Sequence, residues 1–528
     1  MSKFKSVCLG ATLLLATTCL SWAQTARPAP SEPSVYLRCD GNPPHRSTGE
    51  LLGRALLASA TLGLAGLGEI QDVSKRAYGI EGLDACEAAL LSETDPVRKV
   101  QLMLARSIHH LETGDYGAAL EDARKAPSLA EPAAQDVGFR HTLLVSSLEL
   151  QAAALVRAGR MAEAEAAALE MANAVPYDVI TQVRAGPYLQ LTAEWTPGKE
   201  AYFDRLVKIF PEGMAARAVA HQWAGKYLEA AQDYADIVDL RAALATTNNP
   251  APPLPAALAL RSVMLALGGK MEESAALAAE TSAMLRVLAS TGKAGLMQSA
   301  VDAAEQALDF RAIVQDLAEG RAQAARTKFA ARSHWSVPAA PAVAELAARL
   351  RQGAPAAELT GSLASDPAGL RSAGLIANAG AITEAQNGVA DLFGAIRRPL
   401  TASNYREWQD DVWNTKSSAL LHQRAANENY PGELIMSPPP RPFNPPPSLT
   451  TASGEALLMH AALLAQSRGV KGFELFPARQ RLDAVFVRFG NPGEAGVPAA
   501  STFDAAAVVK DLSGEFPDPN VKASPASH

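Results

Sequence analysis

Aromatic residues are scarce in this chain: Phe, Trp and Tyr together make up 6% of its 528 residues. The apolar fraction of 48% is carried mainly by alanine and leucine. A β-sandwich or β-barrel would need more Val, Ile, Tyr and Phe, whereas Ala and Leu are strong helix formers. The composition therefore predicts many closely packed helices, and the length predicts several domains or an elongated array.

No charge of one sign dominates the sequence. Lys and Arg number 48 against 55 Asp and Glu, a formal net charge of −7, and no basic block stands out. Proteins that bind nucleic acid neutralise its phosphates with clustered cations. Nucleic acid is therefore not an expected partner, and the mild acidity favours solubility.

Catalytic and metal-binding signatures are missing from the sequence. It contains no Walker loop, no H-E-x-x-H, no C-x-x-C and no G-x-S-x-G. The neighbours His109 and His110 would point about 100° apart on a helix, so they cannot chelate a metal as an i, i+4 pair. We expect no metal, no cofactor and no catalysis, although an acid–base pair assembled only by folding would leave no motif.

Long hydrophobic runs are also absent outside the N-terminus. There, an apolar run over residues 7–20 follows Lys3 and Lys5 and ends in small residues. The run is too short to span a bilayer comfortably, and the pattern predicts a cleaved signal peptide over residues 1–23. The mature chain is then expected in the periplasm, without a membrane span. A retained anchor and lipidation at Cys19 are the alternatives.

The chain has only four cysteines, and two of them, Cys8 and Cys19, belong to the predicted signal peptide. Cys39 and Cys86 remain, and an oxidising compartment favours their pairing. This disulfide would hold an N-terminal strap, residues 24–46, onto a helix around Cys86. Two buried free thiols are the alternative.

Residues 104–126 have the pattern of two helices joined by a turn at Gly114. Apolar residues recur every three or four positions before the turn, and small residues follow it. The same turn chemistry returns at Gly159, Gly225, Gly269 and Gly320. The intervals are 45, 66, 44 and 51 residues (159 − 114, 225 − 159, 269 − 225 and 320 − 269).

These hairpins resemble tetratricopeptide repeats. Ser107, Ala119 and Ala126 match small positions of that family, and Arg106 and Asp122 match one of its common charged pairs. The family unit is about 34 residues, so the longer intervals imply extended helices or loops. The longest interval can hold one degenerate unit.

The resemblance implies an irregular α-solenoid of stacked hairpins over residues 47–400, in a mostly α protein. An ordinary helical bundle with Ala-rich turns is the alternative. The family binds partners on a concave face lined by first helices. Mapping its groove positions onto the better repeats indicates Glu149, Arg157, Gln222 and Trp223. The equivalent positions of the first repeat are apolar, and we expect the strap to bury them.

The C-terminal part changes in composition. We predict a helix over 401–429, a Pro-rich linker over 430–450, a small α/β module over 451–517 and a disordered tail over 518–528. Within the module, strands are predicted from Gly472 and from Leu482, and Ser501-x-x-Asp504 precedes a last helix. The module is similar to one seen at the C-terminus of uncharacterised exported proteins and lipoproteins of proteobacteria, which has no assigned activity.

Three functional hypotheses follow. The first is an exported scaffold that binds another envelope protein or peptide. The second is an enzyme or small-ligand protein with its site between the repeats and the C-terminal module. The third makes that module a self-association unit. The sequence leaves the partner and the oligomeric state open.

Overall fold

The computed structural model describes residues 32–44, 71–131, 136–248, 250–332, 335, 340–352, 354, 379–384, 392–400, 402–416, 422–425, 432–436, 451–478, 481–494 and 500–520. The chain divides into two compact units, residues 1–93 and residues 94–528. Among the described residues, no helix is both long and apolar enough to cross a bilayer. The predicted signal peptide, most of the Pro-rich linker and the last eight residues of the predicted tail, 521–528, lie outside the described residues.

The N-terminal unit pairs two helices, α1 (Val35–Asp40) and α2 (Gly79–Ser92), with a 3-10 turn at Val73–Lys75 between them in the chain. A disulfide joins Cys39 to Cys86, with their Cα atoms 4.6 Å apart, and both residues are fully buried. The predicted disulfide is confirmed. The described part of the predicted strap contains a short helix, which packs against α2.

The second unit is built mainly of helices. Its helices are α3 (Pro96–Thr113), α4 (Tyr116–Lys125), α5 (Val137–Phe139), α6 (Val145–Arg157), α7 (Met161–Ala174), α8 (Val179–Ala185), α9 (Pro197–Ile209), α10 (Met214–Trp223), α11 (Tyr227–Ala243), α12 (Pro255–Leu267), α13 (Met271–Ser290), α14 (Gln298–Ala318), α15 (Ala322–Ala330), α16 (Ala340–Arg351), α17 (Ala402–Trp413), α18 (Thr451–Ser467) and α19 (Ala505–Leu512). A π-helical turn, Arg140–Leu144, joins α5 to α6. Short 3-10 segments lie at Ala126–Ala130, Tyr188–Gln190, Pro211–Gly213, Ala294–Met297 and Leu392–Ala395.

Five helical hairpins share one turn geometry. In each, a glycine with φ between 73° and 83° ends the first helix, at Gly114, Gly159, Gly225, Gly269 and Gly320. The N–H of the next residue donates to the carbonyl five positions earlier over 2.7–2.9 Å. This is the Schellman arrangement, which satisfies the last carbonyls of a helix and needs a left-handed residue. The five predicted turn glycines are thus confirmed.

Consecutive hairpins pack on one another. Helix α4 packs against α6, α11 against α12, and α12 against both α13 and α14. Small residues make the close approach possible: Ala119 is fully buried, and the Ser107 hydroxyl donates to its carbonyl over 2.8 Å. The longest interval between turn glycines contains α8, a 3-10 turn and α9 instead of a regular hairpin.

The C-terminal module is a sheet covered by helices. Its strands are β1 (His422–Arg424), β2 (Glu433–Met436), β3 (Gly472–Ala478), β4 (Arg481–Gly490) and β5 (Phe503–Asp504). They pair antiparallel in the order β1-β2-β4-β3-β5. Helix α18 packs on β3 and β4, and α17 and α19 pack on α18. The prediction of a mostly α fold with a small C-terminal α/β module is therefore confirmed.

The predicted linker over 430–450 is wrong at Glu433–Met436. These residues form β2, whose register pairs Leu434 with Phe486 of β4. The run Leu-Ile-Met is apolar and suits a strand, and the dense proline run that suggested a linker, residues 438–447, begins only after it. The predicted helix over 401–429 is also too long, because α17 ends at Trp413 and β1 follows. The sheet thus takes two strands from before the predicted module.

Candidate functional site

Three of the four predicted groove residues are buried. Gln222 has no exposed surface, and its amide donates to the hydroxyl of Tyr234 over 3.1 Å. Trp223 and Glu149 are each 5% exposed. With 5% exposure or less, these three side chains pack inside the protein in this conformation.

Two contacts hold the predicted groove residues of α6, Glu149 and Arg157, in place. Glu149 pairs with Arg184 of α8 over 2.8 Å. Burial raises the pKa of Glu149, and the positive charge of Arg184 opposes that shift. Arg157, the fourth predicted residue, keeps partial exposure and donates to the carbonyl of Ala153 over 3.2 Å.

A later part of the chain covers the first helices of the N-terminal hairpins. The 3-10 segment Leu392–Ala395 packs against both α3 and α6. Phe393 is 9% exposed, and its ring lies edge-on to His109 with centroids 5.2 Å apart. His109 also bonds Glu112 over 2.8 Å. The chain's own residues therefore contact α3 and α6, two of the first helices that were predicted to line the partner surface.

Arg397 anchors this segment to the hairpins. Its backbone N–H donates to the Ser146 hydroxyl over 2.9 Å, and its guanidinium donates to Asp178 Oδ2 and to Thr181 Oγ1, each over 2.7 Å. The same guanidinium reaches the backbone carbonyl of His141 over 3.2 Å. Asp178 is 3% exposed, so an arginine partner is needed to keep its charge in the interior.

The π-turn places His141 against the C-terminal module. The His141 side chain is buried, and its Nδ1 lies 3.4 Å from Oε1 of Glu455 on α18. Its ring meets that of Tyr405 on α17 edge-on, with centroids 5.4 Å apart. π-turns inside α-helices occur frequently at functional sites. Residues from α17, α18 and the π-turn thus meet in one buried polar cluster, which we call the His141–Glu455–Tyr405 cluster.

Burial controls the protonation of this cluster. It raises the pKa of Glu455 well above its ordinary value of 4.5, and the negative charge of Asp178 adds to the shift. Burial also lowers the pKa of His141 to about 4 and raises that of Tyr405. Both members of the His141–Glu455 pair are therefore held toward their neutral forms near neutral pH.

The sequence offered one signal for this cluster. Helix α18 is apolar on nearly every side, as in Gly-Glu-Ala-Leu-Leu-Met-His, and Glu455 is an isolated acid within it. A helix that is apolar all round is buried, so an acid on it must be buried too. The identity of the contacting histidine could not be read from the sequence, because His141 lies far away along the chain.

Two hairpins carry the same polar arrangement. Arg106 and Arg217 each donate through Nε to an aspartate sixteen positions later, Asp122 and Asp233, over 2.7 Å. A histidine four positions after each arginine faces the same carboxylate, at 3.7 Å for His110 and 2.7 Å for His221. We call each set an Arg–His–Asp clasp. The predicted Arg106–Asp122 pair is formed, whereas the second clasp was not predicted although its spacing is identical.

A small cavity lies between the hairpins and the sheet. Its volume is about 30 Å³, and it is lined by Met214, Asp236, Asp239, Leu240, Ala243, Glu474, Phe476, Arg488, Ala500 and Ser501. Glu474 is already engaged, because Arg488 Nε donates to it over 2.8 Å and the Ser501 hydroxyl over 2.5 Å. A space of this size holds one or two water molecules.

In the part of the chain that the structure describes, no three His, Cys, Asp or Glu side chains gather as metal ligands would. Comparison of the chain with protein-family models, with curated proteins and with solved structures gives no match, so its function has to be inferred from its own residues.

Proposed function

We propose that this protein is an exported, tetratricopeptide-like scaffold of the periplasm that binds another protein or peptide of the cell envelope. The N-terminal sequence pattern supports export. The repeated hairpin turns and the two Arg–His–Asp clasps support a helical repeat. Such repeats create extended surfaces whose usual role is binding.

The seating of Leu392–Arg397 on α3 and α6 is the observation that carries the proposal. A short, non-α-helical segment lies on the first helices and is held there by one buried aromatic ring and one arginine. A peptide partner could use the same contacts, because its own arginine would meet the same carboxylate and hydroxyl acceptors. The chain's segment then competes with the partner.

Paired substitutions at Arg397 and Arg398 test this function. Arg397→Ala removes the guanidinium bonds to Asp178 and Thr181, whereas Arg398 is exposed and its replacement by Ala serves as the matched control. The mature chain and both variants would be immobilised and exposed to an envelope extract. We expect Arg397→Ala to retain at least several-fold more of a specific partner than the unmodified chain, and Arg398→Ala to match the unmodified chain.

The proposal requires that the unmodified chain or Arg397→Ala retains a specific partner. It fails if neither does so and the same preparation converts a small molecule. Far-UV circular dichroism of each variant shows whether its helices remain formed. The competing hypothesis of a small-ligand site is favoured by the position of the cavity between hairpins and sheet. Its volume of about 30 Å³ is far below the few hundred Å³ of typical ligand pockets.

A further inference from the structure

Three polar groups meet in the interior without hydrogen bonds to other described residues. They are the carboxyl group of Glu455, the hydroxyl of Tyr405 and Nδ1 of His141. Glu455 is 1% exposed and His141 is 2% exposed. An ionised carboxylate in such a place is cut off from bulk water and faces a neutral donor, the Tyr405 hydroxyl, which does not balance its charge. The geometry thus requires a proton near Glu455.

Charged groups surround this pair from several elements. Asp178 at the start of α8 is paired with Arg397 over 2.7 Å, and Glu515, which follows α19, is paired with Arg140 of the π-turn over 3.4 Å. Asp178 and Glu515 are thus each paired with an arginine. Neither Arg397 nor Arg140 is left to balance an ionised Glu455. A basic atom, Nδ1 of His141, lies 3.4 Å from Oε1 of Glu455.

We propose that Glu455 and His141 share a single proton, which joins helix α18 of the C-terminal module to the π-turn Arg140–Leu144. The proton lies between Oε1 and Nδ1, and the net charge of the pair is zero whichever atom holds it. We call this contact between Glu455 and His141 the joint. It binds one proton, and it stays closed only while that proton is bound. This inference is independent of the proposed function, since it concerns the hold of α18 on the π-turn.

The proton count gives the joint its pH dependence. When α18 is released, Glu455 and His141 return to ordinary pKa values of 4.5 and 6.5. Between these values the released pair also binds one proton, so closing the joint changes nothing. Above pH 6.5 the released pair binds none, so closing takes up one proton and weakens as pH rises. Below pH 4.5 the released pair binds two, so the joint also weakens as pH falls.

Glu455 and His141 taken singly predict the same directions of pH dependence as the pair. Glu455, with its pKa raised by burial, contributes stability that is present below pH 4.5 and lost as pH rises through its raised pKa. His141, with its pKa lowered to about 4, contributes stability that is present above pH 6.5 and lost as pH falls through about 4. A shared proton combines both effects into a plateau between them.

Hydrogen exchange of the α18 amides would measure the joint in the full chain. After correction for the intrinsic pH dependence of exchange, the opening constant of α18 should rise about tenfold per pH unit above pH 6.5. Glu455→Gln needs no proton and should flatten this rise. Glu474→Gln replaces another buried glutamate, which has Arg488 as partner, and should keep the rise. Equal slopes for the unmodified chain and Glu455→Gln would overturn the proposal.

A second measurement can refute the shared proton with the unmodified chain alone. Infrared spectroscopy of the unmodified chain at pH 6 detects protonated carboxylic acids by their C=O stretch, and the part of the band lost in Glu455→Gln belongs to Glu455, because burial also raises the pKa of Glu149. Near this pH ordinary carboxyl groups are ionised. We expect either that band or, if the proton lies on the ring, an imidazolium signal of His141 by NMR that persists above pH 7. Absence of both signals would refute the shared proton.

Discussion

Asp122 and Asp233 hold equivalent positions in hairpins whose turn glycines are 111 residues apart (225 − 114). The surroundings of the two carboxylates differ. The side chains of Arg217 and Asp233 are 9% and 2% exposed, against 26% and 8% for Arg106 and Asp122. Since water screens the more exposed pair, the same arrangement should stabilise the two hairpins unequally.

Asparagine at each clasp tests this inequality. Asp233→Asn keeps the shape but removes the charge that Arg217 and His221 face, and we expect a loss of about 3 kcal/mol in the free energy of unfolding. Asp122→Asn should cost about 1 kcal/mol, because its arginine can turn toward water. Urea denaturation of the two variants gives both values. Equal losses would show that burial does not set the strength of the clasp.

Contacts within one hairpin were predictable from the sequence, and contacts between distant elements were not. The Arg106–Asp122 pair was implied by the resemblance to tetratricopeptide repeats, and both residues lie in one helix–turn–helix hairpin. The Glu455–His141 contact depends on how α18 packs on the π-turn, and no local pattern encodes that packing. The burial of the predicted groove residue Glu149 has the same origin, since it depends on a contact with Arg184 of α8, in another part of the chain.

At the scale of elements, the turn glycines explain why the hairpins form where they do. A Cβ atom at Gly225 would meet no heavy atom within 4 Å, yet φ is +74° there. Backbone conformation alone therefore requires glycine at this turn. Strand β2 shows the opposite case, because a proline-rich neighbourhood concealed a short apolar strand from sequence interpretation.

Alanine substitutions of two glycines should act with opposite signs. Gly225→Ala forces a side chain into a left-handed conformation and should lower the free energy of unfolding by about 1 kcal/mol. Gly117→Ala lies within α4, where the added Cβ would make ordinary contact with Asp115 at 3.6 Å, and should raise it by about 0.5 kcal/mol. Thermal unfolding of both variants checks the signs. A destabilised Gly117→Ala together with an unchanged Gly225→Ala would contradict this account.

At the scale of the whole molecule, helical class and the division into helices and a C-terminal sheet followed from composition and periodicity. The covalent link of the N-terminal unit followed from cysteine arithmetic. Cys39 and Cys86 are 47 positions apart, and closing a loop of that size stabilises a chain by about 4 kcal/mol. The order of strands could not be predicted, because β1 and β2 reach the sheet from outside the predicted module.

Thiol counting tests the disulfide in solution. A chain produced without residues 1–23 contains just Cys39 and Cys86. Purified without reductant and then denatured, it should show no thiol that reacts with a colorimetric reagent, and two thiols after reduction. Hydrogen exchange of α1 should speed up on reduction, because its covalent tie to α2 is lost. Two reactive thiols before reduction would contradict the structure of this unit.

The π-turn at Arg140–Leu144 also sets a change of phase along one helix. Such a turn holds one residue more than an α-helical turn, so side chains before and after it differ by about 100° in direction. Helix α5, before the turn, packs against α17, whereas α6, after it, packs against α4 and α7. The inserted residue thus lets one continuous helix serve two hydrophobic cores. Deleting a single residue there would bring both halves into one phase and turn His141 away from Glu455.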